Sequence, residues 1–257
     1  MIIKFINKII FLIKFLLNPQ FFFKESRSQN ENQENLFLNY LSDFIIKKTF
    51  IEIGFHHLEF NCISLIKKNF KGLMIDGGRP INIYILKFII FMLRKDITIL
   101  KRYLTIENVL ESIKFEDIGC LSLDIDGNDY WILKKIIESN IFPEVIIVEY
   151  NASFLDKSIS IPYDELFDRK KKHKSGFYHG ASLSAFYKIL NSKNYNLVKI
   201  IGGANAIFVN DDLLKKTKLV KHTPDKIYEE CLLRNKWSNL TAKEQFEIIR
   251  HLEVKIV

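Results

Sequence analysis

Short apolar runs alternate with amphipathic stretches from Thr49 onward. Thr49–Ile53, Gly72–Asp76, Asp96–Leu100, Cys120–Leu123 and Val145–Val148 are brief, rich in branched residues and bounded by glycine or polar positions. That is the pattern of strands covered on both faces. Between them, Leu58–Lys68, Pro80–Arg94, Ile106–Ile113 and Tyr130–Ser139 carry helical spacing, and Pro80 falls in a first turn, where its missing N–H costs little. Strand–helix alternation predicts a parallel, doubly wound sheet. A long irregular stretch follows, Asn151–Phe177, then a helix at Ala181–Asn191. Two further runs, Asn196–Ile201 and Ala204–Val209, are joined by Gly202-Gly203, a hairpin signal. The expected fold is α/β: a Rossmann-like, doubly wound, mostly parallel sheet with a terminal antiparallel hairpin.

The flanks read differently. Residues 1–24 wind into an apolar helix with Lys4, Asn7, Lys8, Lys14 and Asn18 on one narrow face. A spanning helix needs about 20 mostly apolar residues, and these lysines interrupt one. Lys14 also breaks a signal-peptide core, and no small-residue cleavage site follows. The expectation is an in-plane helix at the inner face of a membrane, lysines toward lipid phosphates, on a cytoplasmic protein. The alternative is an amphipathic helix packed on the domain. Residues 25–48 read as a polar linker and lead-in helix, 49–210 as the α/β domain, and 211–257 as a charged helical tail.

Composition changes the picture little. With 257 residues and 48% hydrophobic content the chain fills a sizeable core. The net charge of +8 comes with an Ile-, Lys-, Asn- and Phe-rich composition, so it says little about a partner. Cys62, Cys120 and Cys231 form no C-x-x-C pair and read as buried free thiols. The basic run Arg169–Lys174 lacks interleaved aromatics, which argues against nucleic acid. It reads as a solvated charge run or, in a long loop, as a basic lid suited to a phosphorylated acceptor.

The candidate chemistry lies where two strands finish in acids. Cys120–Leu123 runs into Asp124, Asp126 and Asn128, and Val145–Val148 into Glu149 and Asn151. In open α/β sheets that edge is where ligands sit. Gathering carboxylates is costly without a cation, a proton or a donor to meet them. One reading is a hard divalent cation such as Mg2+ on Asp126, Glu149 and Asn151. Another is direct proton transfer by Asp124, Asp126 or Glu149. A third is that Asp126, Asn128 or Asp129 merely caps the next helix. His179 is a candidate base near neutral pH or a packing residue.

Several stretches resemble FkbM-type methyltransferases and related methyltransferase-like proteins associated with surface-glycan genes. They are TFIEIGFHHLEFN, LMIDGG, TIENV, LSLDIDGNDYWIL, VIIVEYNASF, IPYD, HGASLSAFYKIL and GGANAIFVN, in that order over Thr49–Asn210. The resemblance implies S-adenosylmethionine as cofactor and methyl transfer to a sugar or glycan hydroxyl. On the family pattern Glu52 lies below the cofactor and Asp76, 24 residues on, holds the ribose. The resemblance adds Gly54 and His56 at the first turn and Asn108 of TIENV to the cofactor side. This turn departs from the pattern, carrying Gly54 alone where most methyltransferases have two or three glycines. A non-catalytic scaffold at the membrane is the alternative; a nicotinamide oxidoreductase fits worse. The acceptor, the position methylated and the oligomeric state are not written in the sequence.

Overall fold

The computed structural model describes residues 2–78 and 80–257, without the side chains of residues 2–8, Gln29 and Glu31. The lysine face expected on the first helix falls partly on those side chains, and only Lys14 of the three lysines is described.

The strands are β1 Thr49–Ile53, β2 Lys71–Asp76, β3 Ile97–Lys101, β4 Cys120–Leu123, β5 Val145–Glu149, β6 Ile159–Ser160, β7 Tyr195–Ile201, β8 Asn205–Asn210 and β9 Lys255–Ile256. Seven form one sheet in the order β3-β2-β1-β4-β5-β8-β7. β1 to β5 are mutually parallel, and β8 runs antiparallel to both β5 and β7. This is the mostly parallel Rossmann-like sheet with a terminal hairpin that the alternation predicts. Gly202 and Gly203, at φ +63° and +61°, make the hairpin turn. β6 and β9 form a separate antiparallel pair.

Side chains alternate between two cores. Ile51, Ile53, Leu73, Ile75, Leu121, Leu123, Ile146 and Val148 lie in one, with the helices Asp129–Glu138 and Leu183–Asn191. Phe50, Met74, Cys120, Val145 and Ile147 lie in the other, with Phe11 and Phe15 of the first helix, Ile2–Leu17. All three cysteines are buried free thiols. Among the described residues no helix is long and apolar enough to cross a membrane.

The first crossover differs from the sequence expectation. The helix after β1 spans only Ile63–Lys67. The Glu52 carboxylate accepts the Asn61 and Cys62 amides at 3.0 and 2.9 Å, so it caps the helix from a distance and fixes its start there. Residues 25–48 include a helix, Gln29–Leu41, whose Glu34 is buried and accepts from Asn205 Nδ2 of β8 at 2.9 Å. The polar tail forms the helices Asp211–Lys216, Pro224–Ile227, Leu232–Ser238 and Ala242–Ile249, the last closed by a capping box at Thr241 and Glu244.

The register positions the site. Ile53 pairs with Ile75 and Leu123, and Leu123 pairs with Val148. The next residue on each strand therefore falls in one row at the carboxyl edge: Asp76, Gly54, Asp124 and Glu149. Strand order reverses between β1 and β4, in the middle of that row, where the crevice of such sheets opens.

Candidate active site

Gly54 leaves β1 at φ +81°, and a Cβ there would sit 1.6 Å from the Asp124 carbonyl oxygen. Glycine is therefore required, because the turn presses directly on the end of β4. The following chain doubles back: His56 and Glu59 exchange backbone hydrogen bonds of 3.0 Å, and His57 turns into the protein. That fold-back moves side chains away from the edge and leaves a cavity of about 440 Å³. Its floor is Gly54 and Glu52, one side is Asp76 with Gly77 and Gly78, and its apolar walls are Tyr103, Ile125 and Phe167. His56 also lines it. Asp76 accepts the Phe55 amide at 3.2 Å and the Gly78 amide at 2.5 Å, which locks β2 to the first turn. A carboxylate has about four acceptor positions, so two remain for ligand hydroxyls. Tyr103 Oη donates to the Phe167 carbonyl at 3.1 Å and closes one end.

Asp124 and Asp126 border this cavity and a second one of about 450 Å³, which also reaches Glu149, Arg27, Arg169, Arg234 and Trp237. Asp124, Asp126 and Glu149 each bring one carboxylate oxygen within 4.8 Å of the others. The chain supplies the compensating charge itself. Arg234, only 4% exposed, reaches from the tail helix to Glu149 Oε1 at 3.5 Å and donates to Asn151 Oδ1 at 2.9 Å. Arg169 pairs with Asp126 at 2.5 Å. Burial works against the Glu149 charge, but the charges of Arg234 and Arg169 oppose it and Glu149 is held low, at about 2. Burial first, then the charges of Glu149 and Asp126, push Asp124 well above the usual carboxyl range.

His179 is buried behind Glu149. Arg234 Nη2 lies 3.2 Å from its Nε2, and the Phe177 carbonyl 3.2 Å from its Nδ1. Arginine can only donate and a carbonyl can only accept, so the proton sits on Nδ1. Burial and the charges of Arg169 and Arg234 lower His179 to about 4, so the ring is neutral at pH 7.

Several sequence candidates therefore take other places. Asn151 is fully engaged: its oxygen accepts from Arg234 and the Ser153 amide, and its nitrogen donates to the Phe177 and His179 carbonyls. It ties the site together and has no lone pair aimed at a ligand. His179 lies outside both cavities and acts on Glu149. Asn108 faces its own loop, accepting the Thr105 amide and donating to the Tyr103 carbonyl, each at 3.1 Å, and does not line the cavity. Glu52, although beneath the cavity, spends its carboxylate on Asn61, Cys62 and Ser122. The helix Asp129–Glu138 has no side-chain cap from Asn128; Asp129 instead accepts the Ile125 and Gly127 amides at 2.8 Å and closes the loop after β4. Burial and the Glu149 charge raise it to about 7.

The three carboxylates have donor chemistry suited to a hard cation. Two of them already face guanidinium groups, and Asn151 is occupied, so the edge does not fit a Mg2+ site built on Asp126, Glu149 and Asn151. Arg234 and Trp237 are site residues that motif reading missed, whereas Arg169 opens the basic run Arg169–Lys174 read as a candidate lid. The sequence signal for Arg234 was the need for a cation at an acid-rich edge.

No family model matches the sequence, and no curated protein matches it. Among solved structures the chain is similar to an O-methyltransferase family protein from Burkholderia thailandensis at TM-score 0.42 and 11% identity, over 70% of this chain and 56% of that one. It is similar to the S-adenosylhomocysteine-bound methyltransferase PaMTH1 of Podospora anserina at 0.47 and 10%, over 70% and 79%. It is also similar to the N-terminal domain of EvdMO1, solved with S-adenosylhomocysteine and D-fucose, at 0.44 and 10%, over 69% and 82%. The chain thus spans just over half the length of the first of these. The Rossmann-like assignment itself stands on the strand order and direction found in this chain.

Proposed function

We propose that this chain is an S-adenosylmethionine-dependent O-methyltransferase acting on a sugar hydroxyl of a surface glycan or of its nucleotide- or lipid-linked precursor. One observation carries the reading. The sheet register sets Asp76, Gly54, Asp124 and Glu149 in a row, and two cavities meet at Asp124. Asp76 has acceptor positions left for two ribose hydroxyls, and Gly54 permits close backbone approach. Tyr103, Ile125 and Phe167 offer flat apolar walls for a heterocycle. Bound there, S-adenosylmethionine supplies an electrophilic methyl group on a sulfonium. Asp124 takes the proton of the acceptor hydroxyl. Its anion is disfavoured by burial and by two neighbouring acids, so once ionised it is a strong proton acceptor. Glu149, fixed as an anion by Arg234, keeps a negative potential at the junction. Trp237 stacks on Phe177 at 5.7 Å and leaves an indole face open at the second cavity, a surface for the C–H face of a sugar ring. Arg27 at its mouth suits a phosphate-linked acceptor. A cytoplasmic location with peripheral membrane contact through the first helix belongs to the same reading.

Calorimetry with S-adenosylmethionine or S-adenosylhomocysteine tests it. The wild type should bind, and Asp76→Ala should weaken binding by about 1–3 kcal/mol. No binding by the wild type at millimolar ligand overturns the reading and favours a non-catalytic scaffold.

A further inference from the structure

We propose that this protein binds an anionic lipid surface through two helices together: the first helix, and Pro80–Met92, which follows β2. A surface helix ordinarily turns a polar face outward. Here neither does. The inner sides are buried in one core, with Phe11 and Phe15 on the first helix and Ile85, Leu86 and Ile89 on the second. The outer sides remain apolar: Ile13, Leu16 and Leu17 on the first, and Tyr84, Phe88 and Phe91 on the second. Leu17 is 83% exposed, Phe91 76% and Tyr84 66%. Positions 84, 88 and 91 share one helix face. The helices are joined where Phe15 meets Phe88, ring centroids 6.3 Å apart, and the segments that follow them meet where Lys95 Nζ lies 5.8 Å from the Phe23 ring. The two exposed stripes are thus neighbours on one side of the molecule, and contiguous exposed apolar surface marks a contact site.

Charge identifies the occupant. The sequence before Glu25 and the sequence between Asp76 and Asp96 contain no acidic residue. They contain Lys4, Lys8, Lys14 and Lys24 in the first and Arg79, Lys87, Arg94 and Lys95 in the second. Apolar side chains on segments whose only charged residues are basic match an anionic bilayer, whose headgroups meet the charges while its acyl region takes the side chains. A second copy fits poorly, because a two-fold contact sets each patch against itself and its cations against the same cations. The surface is independent of the reaction at the sheet edge.

The full-length protein is sedimented with phosphatidylserine-containing vesicles and with pure phosphatidylcholine vesicles. Binding to the anionic vesicles should be at least tenfold stronger at low salt and fall as salt rises. Tyr84→Ser with Phe91→Ser should lower it at least tenfold with melting temperature unchanged. Leu166→Ser with Val220→Ser, on exposed apolar positions elsewhere, should leave it unchanged. Failure of the wild type to sediment with anionic vesicles overturns the proposal. So does equal binding by the Tyr84/Phe91 variant, or a dimer in sedimentation velocity that the same variant dissociates.

Discussion

Arg234 shows how much of this site depends on single residues. Its guanidinium is the buried partner of Glu149 and a donor to Asn151. Removing one member of a buried pair leaves an uncompensated charge and costs about 3–5 kcal/mol. Arg234→Met should therefore lower unfolding free energy by about that amount in urea titrations. Adding Glu149→Gln should recover a substantial part, and strict additivity of the two changes would show that they do not interact. Asp126 makes the contrasting case. It sits at φ +59° with its side chain mostly exposed and paired with Arg169. Asp126→Asn should change stability by no more than about 1 kcal/mol, as for exposed pairs. Asp124→Asn, by contrast, removes the proposed proton acceptor and should reduce methyl transfer by about 100-fold or more while cofactor binding persists.

At the scale of elements, the first helix is a working part of the fold. Phe15 is fully buried against the sheet, whereas Ile13, on the same helix, faces outward. Phe15→Ala should cost about 3–5 kcal/mol and Ile13→Ala no more than about 0.5 kcal/mol, read as shifts in the urea midpoint. The sequence pattern located this helix but could not say which of its faces the protein itself covers, because every face except the lysine stripe is apolar. The seven strands of the main sheet were legible to within a residue or two, since a buried strand is a compact apolar run with sharp ends, whereas the two-residue β6 and β9 were not. Nor was the Ile63–Lys67 helix. Its start is set by Glu52 accepting the amides of Asn61 and Cys62, a contact that local periodicity does not contain.

For the whole molecule, pH is the most direct probe of the buried acids. Asp129 has a folded-state pKa of about 7, above the ordinary carboxyl value, so folding favours its protonated form. Its contribution is full below the ordinary carboxyl pKa and is lost as pH rises through about 7. The Asp129 share should fall between about pH 4 and 8 by on the order of a few kcal/mol, while His179, held neutral in the fold, adds slope of the opposite sign below its ordinary pKa. Asp124, also pushed up, adds slope of the same sign as Asp129. Glu149 moves the other way: its share is present above the ordinary carboxyl pKa and is lost as pH falls from there through about 2. Denaturant titrations of the wild type and Asp129→Asn across that window isolate the Asp129 share as the difference in slope. The row of edge residues was legible because strand ends are visible in sequence and a parallel register aligns them. Arg234 was invisible because it comes from a tail helix 85 residues beyond Glu149 in the chain. Asn151 and His179 were visible, but their roles were misread for the same reason. The guanidinium that turns them into supports had not been placed.

The contact between Gly54 and Asp124 carries a thermodynamic consequence. The carbonyl of Asp124 backs the turn under one cavity, and its carboxyl opens on the other. Occupants of the two cavities therefore cannot be strangers to each other. A cation seated in the first draws Asp124 toward its ionised form, which is the form that receives a hydroxyl proton in the second. By linkage the effect is mutual, each ligand tightening the other by the same factor. Acceptor affinity should then be tighter with a sulfonium in the cofactor site than with an uncharged cofactor mimic there, and the acceptor should favour the sulfonium over the mimic by the same ratio.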